Sequence, residues 1–260
     1  MKSKKNKKPG RAGRKGIYIL PNLFTSASLF GGFFAIISAI QGRYEAAAIA
    51  ILISSVFDGL DGRIARFTRT TSKFGNEYDS LSDLVAFGVA PAILAYLWAL
   101  KPFGRLGWLA AFMFVICGAL RLARFNVEKD NMKAKYFKGL PVPAAACFIA
   151  SLILFESALQ SFAENRHTLF IVLIYVLSFL MVSTIDFWSF KEFDIKDQKP
   201  FHMLVSIILI CVVIAYKPKV LLFLIMLSYI ISGPIITVNR LYRKRSLAKR
   251  DLSNASSFRK

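Results

Sequence analysis

The sequence predicts an all-α protein, a polytopic integral membrane helix bundle with about eight transmembrane helices. The 260 residues are 55% hydrophobic, with a mean hydropathy of +0.50. Apolar runs of ~20 residues, the length that crosses a bilayer, recur along the whole chain. The three cysteines, Cys117, Cys147 and Cys211, lack the paired spacing of zinc sites or disulfides and are interpreted as small buried hydrophobic residues. No separate soluble domain is expected.

The first element is a basic tail, residues 1–17, with the sequence MKSKKNKKPGRAGRKGI. The apolar run behind it is long and has no small-residue cleavage site, so we interpret it as a membrane helix and not as a signal peptide. The apolar runs predict helices near 18–40, 45–66, 79–100, 107–126, 140–160, 168–188, 202–216 and 219–239. The seventh run is short and only KPK separates it from the eighth, so a re-entrant pair is an alternative there.

The basic residues orient these helices. With eight spans both termini share one side, and 29 of the 35 lysines and arginines fall on that side. The positive-inside rule then places both tails in the cytoplasm, in a protein of the cell membrane. The predicted organisation is a basic cytoplasmic tail (1–17), a membrane domain (18–240) and a second basic cytoplasmic tail (241–260). Such tails attract anionic lipid head groups, by roughly 1 kcal/mol per basic residue. Nucleic-acid binding is not expected, because no basic folded domain exists to carry it.

Four aspartates stand out in the stretch DGLDGRIARFTRTTSKFGNEYDSLSD, which begins at Asp58. Asp58 and Asp61 are three residues apart, and Asp79 and Asp83 are four apart, so each pair shares a helix face. A short connection containing Gly75 is expected to let the two helices lie antiparallel. The four carboxylates would then converge at one depth, just below the cytoplasmic surface.

Carboxylates gathered in this way need a cation, because an uncompensated buried charge is costly. One source is the arginines Arg63, Arg66 and Arg69. A better one is a divalent metal, because hard oxygen ligands suit Mg²⁺ or Mn²⁺, and the number of ligands allows two ions. Gly59 and Gly62 would let a bulky ligand approach the helix backbone. Two alternatives are a solvated loop whose acids pair with arginines, and an ion or proton pathway.

The same residues resemble the signature of a known family. The pattern D-x2-D-G-x2-A-R-x8-G-x3-D-x3-D is matched in every position from Asp58 to Asp83. It is similar to that of the CDP-alcohol phosphotransferases, integral membrane enzymes of phospholipid synthesis. The resemblance covers about residues 18–190. Within the family, the chain most resembles members whose acceptor is L-serine, through the stretches LPNLFTSASLFGGFFAI, FGNEYDSLSDLVAFGVAPA, CGALRLARFNV and KGLPVPAAA.

The resemblance implies a set of site residues. It implies metal ligation by Asp58, Asp61 and Asp79, with Asp83 serving both as a ligand of the second metal and as the general base. Contacts to the CDP part of the donor are implied for Gly62, Arg66 and Ser72, and cytidine-side contacts for Asn22 and Thr25. The implied reaction is attack by the serine hydroxyl on the phosphorus that carries the diacylglycerol of CDP-diacylglycerol, with release of CMP. A homodimer is implied as well.

The acceptor carboxylate requires a cation near the metals. Arg121 and Arg124 are three residues apart at the cytoplasmic end of the fourth helix, so acceptor or phosphate binding is one hypothesis for them. The alternative is snorkelling at the helix end. Two other functions remain open: a sister enzyme that uses glycerol 3-phosphate or an inositol phosphate, and a transporter with acidic ion ligands.

Overall fold

The computed structural model of the chain describes residues 19–68, 72–128, 136–159, 166–188 and 217–257. These residues form a polytopic helical membrane protein, as predicted. The α-helices are α1 (Ile19–Ile40), α2 (Tyr44–Phe67), α3 (Lys73–Asp83), α4 (Ala90–Ala95), α5 (Arg105–Glu128), α6 (Val142–Leu159), α7 (Arg166–Val182) and α8 (Pro218–Ser257). Seven of the eight predicted helices overlap these elements, and the predicted helix 202–216 lies outside the described residues.

The third predicted helix is a continuous rod, Lys73–Phe103. A π-helical turn, Leu84–Val89, joins α3 to α4, and a second one follows at Tyr96–Leu100. The rod begins six positions earlier than the predicted start at residue 79. Its first turns, KFGNEY, are too polar for a hydropathy pattern to include, yet they are helical because Ser72 caps them.

Four helical segments described by the structure are long and apolar enough to cross a bilayer: Leu20–Ile40, Lys73–Phe103, Arg105–Val127 and Pro218–Arg240. Val142–Ala158 and Thr168–Val182 are shorter apolar helices. Helix α2, with 24 residues, has the required length but carries aspartates and arginines towards its C-terminal end.

Several predicted boundaries are wrong. Gly75 lies inside α3 and not in the connection before it. The sixth predicted helix ends at Val182 instead of 188, because the chain turns there into the strand β2 (Asp186–Trp188), which pairs antiparallel with β1 (Tyr136–Lys138). Helix α8 runs on to Ser257, so most of the predicted C-terminal tail has a helical backbone.

Small residues bring the first three helices together. Helix α1 packs along α2, and it also contacts α3 and α4. A Cβ atom on Gly32 would lie 2.6 Å from the Cα atom of Ala86, and one on Gly31 would lie 2.3 Å from Ser54 Oγ. The glycines therefore permit a backbone approach that no larger side chain allows. The interior behind them contains fully buried alanines such as Ala35, Ala47 and Ala86.

Candidate active site

The carboxylates of Asp58, Asp61 and Asp79 meet between α2 and α3. Each offers a ligand oxygen, and the three oxygens lie within 4.8 Å of one another. Asp61 is buried, whereas Asp58 and Asp79 are half-buried. The two pairs come together because the helical spacing places each pair on one face and because α2 and α3 both pack against α1.

The fourth aspartate, Asp83, joins the same cluster. It is half-buried on the last turn of α3, and its carboxyl group contacts that of Asp58. The thiol of Cys147 on α6 contacts Ser55 and lies close to Asp58. Cys147 is buried, as the sequence predicted for a small hydrophobic residue, but the pattern gave no sign that it borders the carboxylates.

A buried hydroxyl from α1 holds one carboxylate in place. Thr25, only 4% exposed, donates from Oγ1 to Asp61 Oδ2 at 2.7 Å. Ser82 Oγ on α3 donates to the carbonyl oxygen of Thr25 at 3.1 Å. Thr25 therefore connects α1 both to the carboxylate of α2 and to α3. Such outer contacts fix the orientation of a metal-binding carboxylate.

The first turn of α3 lies beside α1. Ser72 Oγ accepts a hydrogen bond of 2.9 Å from the backbone N–H of Gly75. A Cβ atom on Gly75 would lie 3.4 Å from Asn22 Oδ1, so the absent side chain leaves room for Asn22. Ser26 and Tyr78 make a hydroxyl–hydroxyl hydrogen bond of 2.9 Å nearby. Asn22 and Ser72 thus come together at this end of the site, and the Ser72 hydroxyl caps the helix.

Open space lies beside the glycines of α2. A Cβ atom on either Gly59 or Gly62 would meet nothing within 4 Å. This agrees with the expectation that a large ligand approaches the helix here. Arg63 is exposed one position further on. The side chain of Arg66 and the whole of Arg69 lie outside the described part of the chain.

Arg121 is half-buried on α5 and faces the carboxylates. It interacts electrostatically with Asp83 and with Tyr229 of α8. Its Nε is buried and has no hydrogen-bond partner among the described residues. Arg124 is also half-buried, one turn along the helix. Arg121 therefore interacts with the aspartate cluster.

Tyr229, a neighbour of Arg121, was missed by the sequence analysis. The ring of Tyr229 packs against Phe187 of β2 with centroids 6.0 Å apart, and Phe187 is fully buried. A Cβ atom on Gly233, one turn along α8, would lie 2.2 Å from a ring carbon of Phe187. The strand therefore fixes α8 against this end of the bundle. No sequence motif links α8 to the aspartates, so only the fold could show this neighbour.

Chemically, the cluster fits a hard divalent cation. Three carboxylate oxygens at this separation repel one another unless a cation lies between them, and Mg²⁺ and Mn²⁺ prefer such oxygen ligands. The half-buried positions of Asp58 and Asp79 leave the cluster accessible from one side. Open space lies next to this cluster, beside Gly59 and Gly62.

Comparison with known proteins agrees with this chemistry. The family model described as CDP-alcohol phosphatidyltransferase matches residues 18–165, more than half of the chain. The CDP-diacylglycerol--serine O-phosphatidyltransferase of Helicobacter pylori (strain ATCC 700392 / 26695) is 41% identical over 219 residues, which cover 84% of this chain and 91% of that protein. The protein of the same name from Bacillus subtilis (strain 168) is 36% identical over 174 residues, covering 66% of this chain and 92% of the relative. The archaetidylserine synthase of Methanothermobacter thermautotrophicus is 39% identical over 170 residues, 65% of this chain and 69% of that one.

Proposed function

The chain belongs to the CDP-alcohol phosphatidyltransferase family and is a transferase, and from this premise we propose that it transfers the phosphatidyl group of CDP-diacylglycerol to L-serine. The products are phosphatidylserine and CMP. The observation that carries the proposal is the convergence of three aspartates from the family motif, with oxygens within 4.8 Å, at the end of a membrane helix bundle. The names of the relatives support serine as the acceptor.

We further propose that Asp58, Asp61 and Asp79 hold Mg²⁺ or Mn²⁺, with Asp83 completing the ligand set of a second ion. The fit rests on the oxygen cluster itself and on the contact between Asp83 and Asp58. Bound there, the ions would supply positive charge to the diphosphate and favour in-line displacement at phosphorus. Thr25 orients the carboxylate of Asp61 by donating a hydrogen bond to it, and so affects the metal centre indirectly.

In the proposed step, Asp83 accepts the proton of the serine hydroxyl. The serine oxygen forms a bond to the phosphorus that carries the diacylglycerol, and the bond from that phosphorus to the CMP oxygen breaks. A hydroxyl is a weak nucleophile until its proton is removed, and a positioned base typically contributes about 10²–10⁴-fold. Asp83 suits this role because it lies one turn beyond Asp79, next to Arg121.

The donor would lie along the open face of α2, with its acyl chains in the bilayer. Gly62 provides the space there, and Arg66 follows on the same helix. We propose that Asn22 and Ser72, which come together beside Gly75, contact the cytidine end of the donor. Thr25 was expected on the same side, and its described contacts support an indirect role through Asp61.

For the acceptor, we propose that Arg121 binds the serine carboxylate and that Arg124 assists it. A half-buried guanidinium beside Asp83 would bring the acceptor hydroxyl close to its base. The N–H group of Arg121 Nε has no hydrogen-bond partner among the described residues, so it has a donor to offer.

The distribution of basic residues supports a location in the cell membrane with the aspartates and both termini on the cytoplasmic side. The proposed arrangement keeps the membrane domain at 18–240, and the family resemblance implies a homodimer. The orientation is tested by labelling, in intact cells, single cysteines placed in each connection between helices. The mass of the purified protein in detergent tests the oligomeric state.

The proposed function is tested by measuring CMP release from CDP-diacylglycerol with the purified protein. We expect release with L-serine and little with glycerol 3-phosphate or an inositol phosphate. Release only with a phosphorylated acceptor would identify a sister enzyme instead. Absence of CMP release with every acceptor, from folded protein supplied with Mg²⁺ or Mn²⁺, would contradict the proposal.

A further inference from the structure

One residue of the stretch CGALRLARFNV has no part in the proposed reaction. The two arginines of that stretch are assigned to the acceptor, whereas Asn126, two positions after Arg124, is not used. Asn126 is half-buried on α5, and its Nδ2 donates a hydrogen bond of 2.9 Å to Ser80 Oγ on α3. Ser80 directly follows Asp79 in the sequence. This bond between side chains therefore joins the helix of the acceptor arginines to the helix of two aspartates.

The hydroxyl of Ser80 acts both as a donor and as an acceptor. Its Oγ donates to the carbonyl oxygen of Asn76 at 3.0 Å, one turn earlier on α3. A hydroxyl has one proton to donate and two lone pairs that accept. Because the proton of Ser80 is directed to Asn76, its lone pairs face α5, and the amide N–H of Asn126 is the matching donor. The bond therefore requires an amide on α5 and a hydroxyl on α3.

The same two helical segments are also held together at their other end. The rod Lys73–Phe103 packs along α5, and the chain turns between them at Gly104, which has a φ of 52°. A Cβ atom on Gly107 would lie 2.0 Å from the carbonyl oxygen of Leu100, so the backbones are very close there. Apolar packing along the rest of the pair is not directional. A hydrogen bond between membrane helices is directional, so it can fix how α5 is placed along α3.

The bond lies close to the proposed acceptor site. From it towards the interior of the bundle, Asp83 is three residues further along α3, and Arg121 is five residues back along α5. At 1.5 Å per residue these separations are about 4.5 and 7.5 Å along the helix axes. The two charged residues therefore reach similar depths, and they interact electrostatically. Because an arginine side chain is long and can turn towards the membrane surface, its place beside Asp83 depends on how α5 is held.

We propose that Asn126 is a positioning residue: through Ser80 it holds α5 in register with α3, so that Arg121 lies beside Asp83. Neither Asn126 nor Ser80 has to touch a substrate or a metal for this. The inference rests on the proposed transfer to L-serine, because its effect is on where the serine carboxylate is held relative to the base. Misplacement of a reacting group by about 1 Å can lower a rate by about 10²-fold.

A double-mutant cycle on CMP release by the full chain in detergent, supplied with Mg²⁺, tests the inference. Asn126→Ala and Ser80→Ala should each lower kcat/KM for L-serine by about tenfold, and the double variant should be no worse than either, because all three lack the same bond. The KM for CDP-diacylglycerol should change by less than about twofold, since the donor is proposed to lie along α2. The same non-additivity is expected in the midpoint of thermal unfolding measured without substrate, which reports on the bond itself.

Two further variants separate the bond from general packing. Ser80→Thr retains the hydroxyl and should preserve kcat/KM for L-serine. Ser178→Ala is the matched control, because Ser178 is buried on α7 and its Oγ donates to the carbonyl oxygen of Ile174 at 2.7 Å, within its own helix. It should leave the serine kinetics unchanged. If Asn126→Ala does not fold, Ser80→Ala and Ser80→Thr still decide, since the first must lower kcat/KM and the second must preserve it.

Three results would overturn the inference while the transferase function stands. They are unchanged serine kinetics in Ser80→Ala, additive losses in the double variant, and a loss confined to Asn126→Ala, which would indicate that Asn126 contacts a substrate directly. Failure of the proposed function looks different, because the unaltered protein then releases no CMP with L-serine. In that case the inference fails with it.

Discussion

The two ends of the helix bundle hold their charges in opposite ways. At one end, like charges gather, with oxygens of Asp58, Asp61 and Asp79 within 4.8 Å. At the other end, opposite charges pair directly, with Lys219 Nζ 2.8 Å from Glu45 Oε2. A pair of opposite charges needs no further partner, whereas ionised carboxylates held this close repel one another and are stabilised by a ligand of opposite charge. The comparison therefore separates the end that awaits a cation from the end whose charges join helices.

Removal of divalent metal should separate the two ends most strongly. In excess chelator, we expect CMP release to fall to background, because the repulsion among the aspartates is then uncompensated. Addition of Mg²⁺ or Mn²⁺ should restore it. The midpoint of thermal unfolding of the unaltered protein, measured in the same chelator, controls for general loss of structure. Full turnover without metal would contradict the proposal that the aspartates bind a divalent metal required for the reaction.

Asp83→Asn should have the next largest effect. The substitution preserves size and a ligand oxygen but cannot accept a proton, so CMP release should fall by about 10²–10⁴-fold while donor binding persists. Asp58→Asn and Asp61→Asn should instead weaken metal and donor binding together. Glu45→Gln, at the opposite end, is the matched carboxylate control and should leave turnover unchanged. Near-normal release from Asp83→Asn would remove this residue as the base.

Arg121→Ala should raise the KM for L-serine by about 10- to 100-fold, the range for loss of a hydrogen bond to a charged group. The affinity for CDP-diacylglycerol should change much less, because the donor is proposed to lie along α2. Arg105→Ala, at the other end of the same helix, is the matched control. If serine kinetics are unaltered, Arg121 serves only to anchor the helix end at the membrane surface.

Thr25→Val should have a smaller effect of about tenfold on the apparent metal affinity. Valine preserves the shape of the side chain but removes the hydroxyl that donates to Asp61. Thr25→Ser retains the donor and should recover most of the affinity. The measurement is CMP release against metal concentration for both variants. Equal loss in the valine and serine variants would point to packing and not to the hydrogen bond.

Lys219→Gln should have the smallest effect. The ion pair with Glu45 is partly exposed, with 36% and 51% of the side chains accessible, so its loss should lower the free energy of unfolding by less than about 1 kcal/mol. Thermal unfolding measured without added lipid checks this. If the free energy of unfolding instead fell as much as it does when one partner of a buried ion pair is removed, the stability of this end of the bundle would depend on its charges.

The sequence was sufficient where the physical cause is local. Helical spacing places Asp58 with Asp61, and Asp79 with Asp83, on common faces, and apolar runs locate most of the membrane helices. Boundaries failed where another effect outweighs hydropathy. The polar first turns of α3 form because Ser72 caps them, and the end of α7 is set by pairing with β1.

Contacts between distant elements could not be predicted from spacing. Cys147 lies close to Asp58, and Tyr229 lies close to Arg121, although each pair joins helices that are far apart along the chain. No pattern in the sequence pairs them. The close approach at Gly32 likewise depends on Ala86 opposite it. The hydrogen bond from Thr25 to Asp61 also crosses helices, although the family resemblance had already drawn attention to Thr25.

The network around Thr25 has a consequence for the order in which the protein is assembled. Its two hydrogen bonds to other helices span 36 and 57 positions, all within the first three helical segments, whereas Lys219 and Glu45 are 174 positions apart. Chains are synthesised from the N-terminus, and contacts between near neighbours form before distant ones. The aspartate cluster can therefore come together as soon as α3 has entered the membrane. The ion pair at the opposite end must wait for α8, so it closes the bundle last.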